Sequence, residues 1–271
     1  MSILFTHRVS PWQKNLTRAW AHRRPIALMI CLLWPLATQA QTDTSAVIAS
    51  WNIEGFNPIT EEARIDLLAK GLVALDAEVI ALQEVNPNVV VTQIVHAANA
   101  LGAAYQDPVM LPQTAIQNIA VVAKQGISVT NPRFVPGSDL GNPGLRRALV
   151  TDVTIGKFDL TLIVVHLKSG RDAGDRGFRS QQCEAIASFI QQSTTAGEDD
   201  VLVVGDFNMI PEEDEENFRA LNPDRFLQFI SNIEATRDFT NVNGNFLDGY
   251  AISRQKMTEY VKGSFMVFPL H

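Results

Sequence analysis

The chain reads Val201-Leu202-Val203-Val204-Gly205-Asp206-Phe207-Asn208 at the point that decides its fold. Four aliphatic residues in a row are typical of a buried strand, and the glycine marks where that strand ends. A carboxylate and a carboxamide then follow, one residue apart. In α/β folds, polar groups at the carboxyl end of a strand form functional sites, but Asp and Asn are also ordinary turn residues. Taken alone, the stretch predicts a buried strand that leads into either a site or a turn.

Three more apolar runs end in the same way, and this repetition favours a site over a turn. Each run delivers a residue suited to metal binding or acid/base chemistry at its carboxyl end: Asn52 and Glu54 after 46–51, Glu84 after 79–83, and His166 after 160–165. Ordinary structural roles stay open as well, namely turn capping for Asn52, helix entry for Glu84 and core packing for His166. Four such strand ends predict that these side chains meet at one rim of the fold.

The acidic members of this set are suited to a divalent metal ion. Glu84, and more weakly Glu54, are hard oxygen donors for Mg²⁺, with Mn²⁺ or Ca²⁺ as alternatives. Such ions favour one or two carboxylates together with water and a substrate phosphate. Asn52 and Asn208 are neutral, so they can orient a water or donate to an anionic oxygen without repelling it.

The remaining polar residues are suited to proton transfer and phosphate contact. Asp206 is a candidate to orient or deprotonate an attacking water, and His166 can donate to a phosphoryl oxygen when it is protonated. Together with a divalent ion, these residues fit hydrolysis of a phosphate ester. Serine-type acyl transfer is disfavoured because the sequence has no Gly-x-Ser-x-Gly motif.

Strand and helix patterns alternate along the chain without an internal repeat or a long linker. The predicted elements are strands at 46–51, 79–83, 118–124, 146–155, 158–166, 200–205, 246–252 and 260–268, and helices at 60–75, 88–101 and 178–193. The short Gly156-Lys157 turn between two of the strands predicts a hairpin. Strands flanked by helices in each half indicate two packed sheets with helices on their outer faces, with a single doubly wound sheet as the alternative.

Residues 1–40 have the order of features that is typical of a secretory signal peptide. Arginines precede the apolar segment 26–34, and Thr38-Gln39-Ala40 supplies small residues for cleavage. An uncleaved amino-terminal anchor is the alternative interpretation. The leader predicts an exported protein, periplasmic or extracellular, with no stable membrane association after cleavage.

The charge balance argues against general electrostatic binding of nucleic acid. Cleavage after Ala40 removes five of the 22 basic residues and none of the 29 acidic ones, which moves the net charge from −7 to −12. A phosphate substrate must then be met by a bound cation or by a local basic patch. Four residues after His166 form either such a patch or a solvated loop: Lys168, Arg171, Arg176 and Arg179.

One of the two cysteines remains after removal of the leader. Cys31 lies in the leader, whereas Cys183 lies in a predicted amphipathic helix near Ile186 and Ile190. An exported protein without an intramolecular disulfide depends on its core for stability. We interpret Cys183 as a buried core thiol, because nothing near it in sequence indicates a nucleophile.

Four motifs in order resemble the endonuclease/exonuclease/phosphatase superfamily, the deoxyribonuclease-like metal-dependent phosphoesterases. They are Trp51-Asn52-Ile53-Glu54-Gly55, Leu82-Gln83-Glu84-Val85, Val165-His166-Leu167-Lys168-Ser169 and Gly205-Asp206-Phe207-Asn208. The resemblance covers residues 46 to 268. It implies an α/β (α+β) fold, a four-layered α/β/β/α sandwich of two mixed sheets, as one domain over 41–271. It also implies Mg²⁺-dependent cleavage of phosphodiester or phosphomonoester bonds.

The resemblance also implies a role for each matching residue. It implies that Glu84 is the principal metal ligand and that Asn52 and Glu54 flank the metal. It also implies that His166 and Asn208 contact the scissile phosphate and that Asp206 positions the nucleophilic water. Phe246-Leu247-Asp248-Gly249-Tyr250 resembles the late Leu/Ile-Asp-Tyr strand of the family, in which the Asp, here Asp248, supports a catalytic histidine.

The carboxyl terminus departs from the family pattern. Members close with a Ser-Asp-His block, whereas this chain ends at Phe268-Pro269-Leu270-His271 without one. We expect a chain truncated before that final strand, with His271 a poor substitute because no Asp neighbours it. Loss of the block would remove a metal ligand and the acid/base histidine.

The predicted function is an exported, divalent-metal-dependent phosphoesterase, and a nuclease acting on phosphodiester bonds is the leading form. The partner is then nucleic acid or another phosphate ester, and we expect a monomer. A phosphatase or a phospholipid-head-group hydrolase of the same fold is one alternative. A binding module whose hydrolysis is impaired by the missing block is the other.

Overall fold

Within the part of the chain that the structure describes, the strands form two sheets. The computed structural model describes residues 2–8, 45–53, 61–85, 88–113, 117–197, 199–230 and 247–268. The elements within these ranges are β1 (Ser2–Arg8), β2 (Ser45–Asn52), α1 (Glu61–Leu75), β3 (Val79–Val85), α2 (Asn88–Ala100), β4 (Asn118–Ala123), β5 (Ser128–Phe134), β6 (Leu149–Ile155), β7 (Phe158–His166), α3 (Ala173–Thr195), β8 (Val201–Asp206), α4 (Glu215–Leu221), β9 (Leu227–Ile230), β10 (Asp248–Ser253) and β11 (Met266–Phe268). One sheet has the order β11-β1-β2-β3-β4, and the other has the order β5-β6-β7-β8-β10-β9.

The buried side chains of the described residues form three apolar clusters between four layers. Representative members are Ile48, Val79, Leu162 and Val204 between the sheets, Leu72, Ile80 and Ile94 between the first sheet and α1 and α2, and Ile163, Ile186 and Val203 between the second sheet and α3. Period-2 alternation explains the division, because successive side chains of a strand point to opposite faces. The four-layered α/β/β/α sandwich is therefore confirmed, and the single doubly wound sheet is wrong.

A parallel strand pair in each sheet brings the predicted motifs to one rim. In the first sheet β2 and β3 run parallel, with Asn52 beside Gln83. In the second sheet β7 and β8 run parallel, with His166 beside Asp206. Parallel neighbours end at the same edge of a sheet, so all four carboxyl ends face one another across the sandwich.

Gly205 allows β8 to approach β7 closely. Its φ of +137° lies in a region that side chains disfavour, and a Cβ at this position would clash with the carbonyl oxygen of Val165. The glycine in the deciding stretch is therefore a packing requirement of the parallel pair. The strand continues through this glycine to Asp206, which ends it at the rim.

Tyr250 ties the two sheets together through a buried hydroxyl. This hydroxyl donates to the carbonyl oxygen of Ile48 across the sandwich, at 3.1 Å. Burial holds the pKa of Tyr250 well above its usual range, so the hydroxyl remains a donor. Cys183 is likewise buried, and burial raises the pKa of its thiol to about 12, as expected for an inert core thiol.

Several elements differ from the sequence prediction. Helix α3 begins at Ala173 rather than 178, because the Asp172 side chain caps it by accepting from the amide of Asp175 at 2.7 Å. The predicted strand 260–268 is shortened to β11. Strands β5 and β9 and helix α4 were not predicted, because β5 is a largely exposed edge strand and the other two are only four and seven residues long.

Strand β1 lies within the segment predicted to be a leader. It runs antiparallel between β2 and β11, with Ser2 opposite Trp51 and Phe268. These seven residues cannot both pair with the domain and be removed with a cleaved leader. The leader stays a prediction. In the described part of the chain, no helix combines the length and apolar character needed to cross a membrane.

Candidate active site

Four of the predicted residues meet at the rim where the parallel strands end. The Asn52 amide nitrogen donates to Glu84 Oε1 at 3.1 Å and to Asp206 Oδ2 at 3.0 Å. His166 Nε2 lies 3.7 Å from the same Glu84 oxygen and 3.8 Å from the same Asp206 oxygen. Side chains from β2, β3, β7 and β8 thus surround one point, with Asn52 and Glu84 from one sheet and His166 and Asp206 from the other.

Glu84 is held in a strained backbone conformation. Its φ is +61°, and the register with β4 shifts between Gln83 and Val85, which identifies a β-bulge. A non-glycine residue in the left-handed region is uncommon and is concentrated at functional sites. The bulge turns the Glu84 side chain to the rim, where its second oxygen accepts from Gln117 Nε2 at 2.8 Å.

Asp206 is buried and lies close to a second carboxylate. Burial raises its pKa to about 6, and the charge of Glu84 adds to the rise, while hydrogen bonds from the Asn208 amide and the Asn52 side chain oppose it. The Asn208 backbone N–H donates to Asp206 Oδ1 at 2.9 Å. This combination describes a carboxylate whose negative charge is not fully compensated by the protein.

His166 is neutral in this environment. Burial lowers its pKa well below the usual range, and the nearby Arg146 charge lowers it further. The 3.7 and 3.8 Å separations from Glu84 and Asp206 are therefore not ion pairs, because they are long for hydrogen bonds and the imidazole carries no charge. A neutral imidazole donates through one nitrogen only, so the protonated donor predicted from the sequence is not the resting form.

Asn208 turns the chain directly after β8. Its φ is +52°, a conformation that Asn tolerates better than most residues. One side-chain N–H donates to the Leu167 carbonyl oxygen at 3.1 Å, which links the turn after β8 to the turn after β7. The amide carries two N–H donors, so the second can serve a phosphate oxygen.

The structure places Asp248 but does not describe Glu54. Asp248 begins β10, is buried and lies directly opposite Asp206 in the antiparallel register. It therefore shares the strand end with the other members of the site. Glu54 and His271 lie outside the described residues, and their roles stay predictions.

Two further residues enter the site that sequence reasoning missed. Arg146 is buried and donates through Nε to the His166 carbonyl oxygen at 3.3 Å and through Nη2 to the Leu167 carbonyl oxygen at 2.8 Å. Its charge also interacts with Asp206 and Glu84. The second missed residue is Gln117. Arg146 could have been noticed in the sequence, because the basic pair Arg146-Arg147 stands at the start of a predicted strand, whereas no sequence feature indicates Gln117.

The four basic residues after His166 do not form an unpaired basic patch. Each of them contacts a carboxylate: Lys168 with Asp175, Arg171 with Asp214, Arg176 with Glu213 and Asp214, and Arg179 with Asp214. Arg179 is fully buried, so the solvated-loop alternative is also wrong for this residue. The positive charges predicted to bind phosphate are instead paired with carboxylates of the protein itself.

The rim carries a donor set that suits a hard divalent ion. Among the described residues, no group of three His, Cys, Asp or Glu side chains has the arrangement of a preformed metal site. Two carboxylate oxygens, Glu84 Oε1 and Asp206 Oδ2, nevertheless accept from the same Asn52 amide nitrogen, and both are hard oxygen donors. Burial raises the pKa of Asp206 to about 6 and the Glu84 charge adds to the rise, so a neighbouring cation would stabilise the ionised carboxylate. The residues present therefore fit such an ion.

Fold and site together define a phosphoesterase-type α/β sandwich. The model of the Endonuclease/Exonuclease/phosphatase family matches residues 49–251, and the chain belongs to this family. Members of the family are hydrolases that act on phosphate esters and generally depend on a divalent metal ion. No curated protein sequence matches the chain significantly.

Solved structures share this fold at low sequence identity. TDP2 from C. elegans is 19% identical, with a TM-score of 0.57 over 76% of this chain and 64% of that one, so the chain spans less than two thirds of its length. The human nocturnin catalytic domain with bound sulfate is 19% identical, with a TM-score of 0.52 over 75% and 81% of the two chains. A mutant of Staphylococcus aureus beta toxin with bound magnesium ions is 14% identical, with a TM-score of 0.56 over 76% and 83%.

Asp206 is expected to lower the stability of the metal-free protein, relative to Asp206→Asn, as the pH rises from about 4 to about 6. The folded state binds a proton at Asp206 with a pKa of about 6, above its ordinary value of 3.8, so the unfolded chain releases this proton first. Asp206 then destabilises the fold at neutral pH by up to about 3 kcal/mol, a contribution that disappears below pH 4. Urea unfolding in a chelator, for the wild type and Asp206→Asn across this range, measures it. Parallel pH curves for the two proteins would contradict the assignment.

Proposed function

We propose that this protein is an exported, divalent-metal-dependent phosphoesterase that cleaves phosphodiester bonds, with nuclease activity as its leading form. The observation that carries the proposal is the convergence of Asn52, Glu84, His166 and Asp206 at one rim, within a chain of this family. The rim combines carboxylates for a metal ion with neutral donors for a phosphate. Such a combination supports metal-assisted hydrolysis better than it supports any other chemistry.

The proposed mechanism divides the work among the side chains at the rim. Asp206 orients the attacking water and accepts its proton, a role that suits a carboxylate with a pKa of about 6. Neutral His166 and the second N–H of Asn208 donate to oxygens of the scissile phosphate. Arg146 holds the His166 backbone in place and adds positive charge next to the developing negative charge.

Glu84 is the residue that would hold the metal ion, with the Asn52 side chain beside it. A bound Mg²⁺, or Mn²⁺ or Ca²⁺ in its place, supplies charge stabilisation for the phosphate oxygens. The strain at Glu84 supports this assignment, since a bulged strand end aims one carboxylate at the rim and Gln117 fixes its second oxygen. The magnesium ions in the beta toxin structure support the choice of metal only through the shared fold.

A smaller phosphate ester is the second candidate substrate, and one observation favours it. Lys168, Arg171, Arg176 and Arg179 are each paired with a carboxylate, and the whole chain carries a net charge of −7. A long polyanion gains less from such a surface than from a basic one. A phosphomonoester or a phospholipid head group needs contacts only at the rim.

Export is supported by the order of basic, apolar and small residues over 1–40. In the proposal, cleavage follows Ala40 and releases a monomer of about 230 residues, which is long enough to be stabilised by its own core. The lone cysteine of that mature chain is buried, which agrees with a protein that is not held together by disulfides.

A substrate panel tests the proposal. DNA, RNA, inositol phosphates and sphingomyelin are incubated with exported protein in Mg²⁺, Mn²⁺, Ca²⁺ or excess chelator, and the products are identified. We expect fragments of DNA or RNA with a divalent ion and none with the chelator, because the paired carboxylates need a cation. The intact mass of the same preparation reads the cleavage position of the leader.

The other outcomes of the panel separate the alternatives. Release of inorganic phosphate or of a lipid head group without nucleic-acid cleavage favours the second candidate substrate. Substrate binding without hydrolysis favours a binding module. Hydrolysis that persists in the chelator, or in Glu84→Ala, would show that the activity does not come from this rim.

A further inference from the structure

Two loops leave the candidate active site side by side, and one buried arginine contacts both. The His loop, residues 167–172, follows His166, and the Asn loop, residues 209–214, follows Asn208. Arg179 of α3 is fully buried and donates through Nη1 to the carbonyl oxygens of Lys168 and Gly170 in the His loop, at 2.8 Å each. Through Nη2 it donates to Asp214 Oδ1 at the end of the Asn loop, at 3.0 Å.

Asp214 closes the Asn loop on itself. Its side chain is buried and accepts from the backbone N–H of Ile210 through Oδ2 at 2.8 Å. The same oxygen accepts from Arg171 of the His loop at 2.8 Å. The Asp214 carboxylate therefore connects the two ends of the Asn loop. Arg171 and Arg179 bind the same carboxylate and link it to the His loop.

Gln182 holds the His loop from a second position, one turn further along α3. Its Oε1 accepts from the Lys168 backbone N–H at 2.9 Å, and its Nε2 donates to the Ser138 carbonyl oxygen at 2.9 Å. Arg179 and Gln182 are three residues apart and so share one face of the helix. This face of α3 holds the backbone of the His loop through the N–H and carbonyl groups of Lys168 and the carbonyl group of Gly170.

The loops are also joined at the end nearer to the active site. Asn208 donates to the Leu167 carbonyl oxygen at 3.1 Å, so the first residue of the His loop contacts the residue just before the Asn loop. The guanidinium of Arg179 makes the corresponding link at the far end. His166 and Asn208 therefore sit on two short segments that are connected on both sides.

We propose that Arg179 is a positioning residue, which fixes the separation of His166 and Asn208 through its pair with Asp214. The inference rests on the proposed function, because it assigns to both residues a contact with the same phosphate. A buried ion pair gives little net stability compared with apolar residues of similar volume. What the pair supplies, and what apolar residues lack, is a set of directional hydrogen bonds to both loops.

Kinetics of a double variant separate positioning from stability. Arg179→Met combined with Asp214→Leu removes both fully buried charges together and leaves only the part-exposed Arg171 and Arg176 without this carboxylate, so we expect a folded protein, which urea unfolding verifies. We expect kcat to fall about 10²-fold, because small misplacements of catalytic groups have effects of this size. KM should stay within about threefold, since the metal-binding residues of the rim are untouched. Arg179→Lys keeps the charge but cannot reach all three acceptors. Its kcat should lie between that of the wild type and that of the double variant.

The matched control is the part-exposed ion pair of Lys256 and Asp199. The two side chains are 49% and 45% exposed and lie near the start of β8 and the end of β10, opposite to the rim, so Lys256→Met with Asp199→Leu should leave kcat unchanged. A folded Arg179→Met and Asp214→Leu protein with a kcat within about threefold of wild type would overturn the proposal. An equal fall of kcat in the control pair would overturn it too.

Amide hydrogen exchange gives a readout that does not depend on activity. In the double variant, we expect exchange to accelerate at Lys168 and at Ile210, in both loops, while β7 and β8 keep their protection. Acceleration in only one loop, or throughout both strands, would show that the pair does not couple the loops. A wild-type protein inactive on every substrate would refute the proposed function alone, and exchange would still decide whether Arg179 sets the loop geometry.

Discussion

Asp206→Asn is expected to lower kcat for phosphate-ester hydrolysis by about 10³-fold, as loss of a general base commonly does. The carboxylate is buried, raised in pKa and placed 3.0 Å from the Asn52 amide, so it is the group at the rim that is best prepared to accept a proton from water. Asparagine is nearly isosteric and keeps an acceptor for Asn52 but has no basic oxygen. Steady-state rates at saturating metal ion and saturating substrate measure the effect.

The control for this substitution is a carboxylate on the partner strand of the same parallel pair. Asp159→Asn changes an exposed residue near the start of β7, far from the rim, and should leave kcat at the wild-type value. Unfolding curves of both variants establish that each is folded. An Asp206→Asn protein that retains more than about a tenth of the wild-type kcat would mean that Asp206 is not the base.

Gly205→Ala is expected to destabilise the protein by about 3 kcal/mol or more, which is a large part of the stability of a domain. Two costs add up at this position. A side chain at a φ of +137° is strained, and its Cβ would clash with the backbone carbonyl oxygen of Val165, which cannot rotate away as a side chain could. Relief requires β7 and β8 to separate, which disturbs the site that both strands support. Chemical denaturation with a far-UV signal measures the loss.

Gly102→Ala is the matched control for this prediction. Gly102 also has a positive φ, +102°, but nothing lies within 4 Å of the position that its Cβ would occupy. The control therefore carries the conformational cost without the clash and should lose about 1 kcal/mol. Equal losses in the two variants would show that close approach of the strands is not what requires Gly205.

The core of the site could be predicted because each of its residues follows an apolar run. Asn52, Glu84, His166 and Asp206 all end buried strands, and the carboxyl ends of parallel strands share an edge. Local sequence was therefore sufficient to bring together residues as far as 154 positions apart, as in the hydrogen bond between Asn52 and Asp206. The layers of the sandwich followed from the same alternation of strands and helices.

The rest of the site depends on partners that local sequence does not reveal. The charges of Arg171 and Arg179 were visible, but their partner Asp214 lies 43 and 35 residues away in a loop, so pairing could not be read from the motif. Burial of the His166 ring, which makes it neutral, likewise comes from packing between layers. Short elements such as α4 and β9 escaped prediction because their stability comes from tertiary contacts more than from periodicity.

The candidate active site belongs to neither sheet alone. One sheet supplies Asn52 and Glu84, the other supplies His166 and Asp206, and the buried Tyr250 hydroxyl is a polar link between the layers. A slip of about 1 Å between the layers would break the Asn52 to Asp206 hydrogen bond while every strand kept its own ladder. If the proposed function holds, turnover depends on how the two layers dock, and we expect it to be lost on mild perturbation while circular dichroism still shows intact secondary structure.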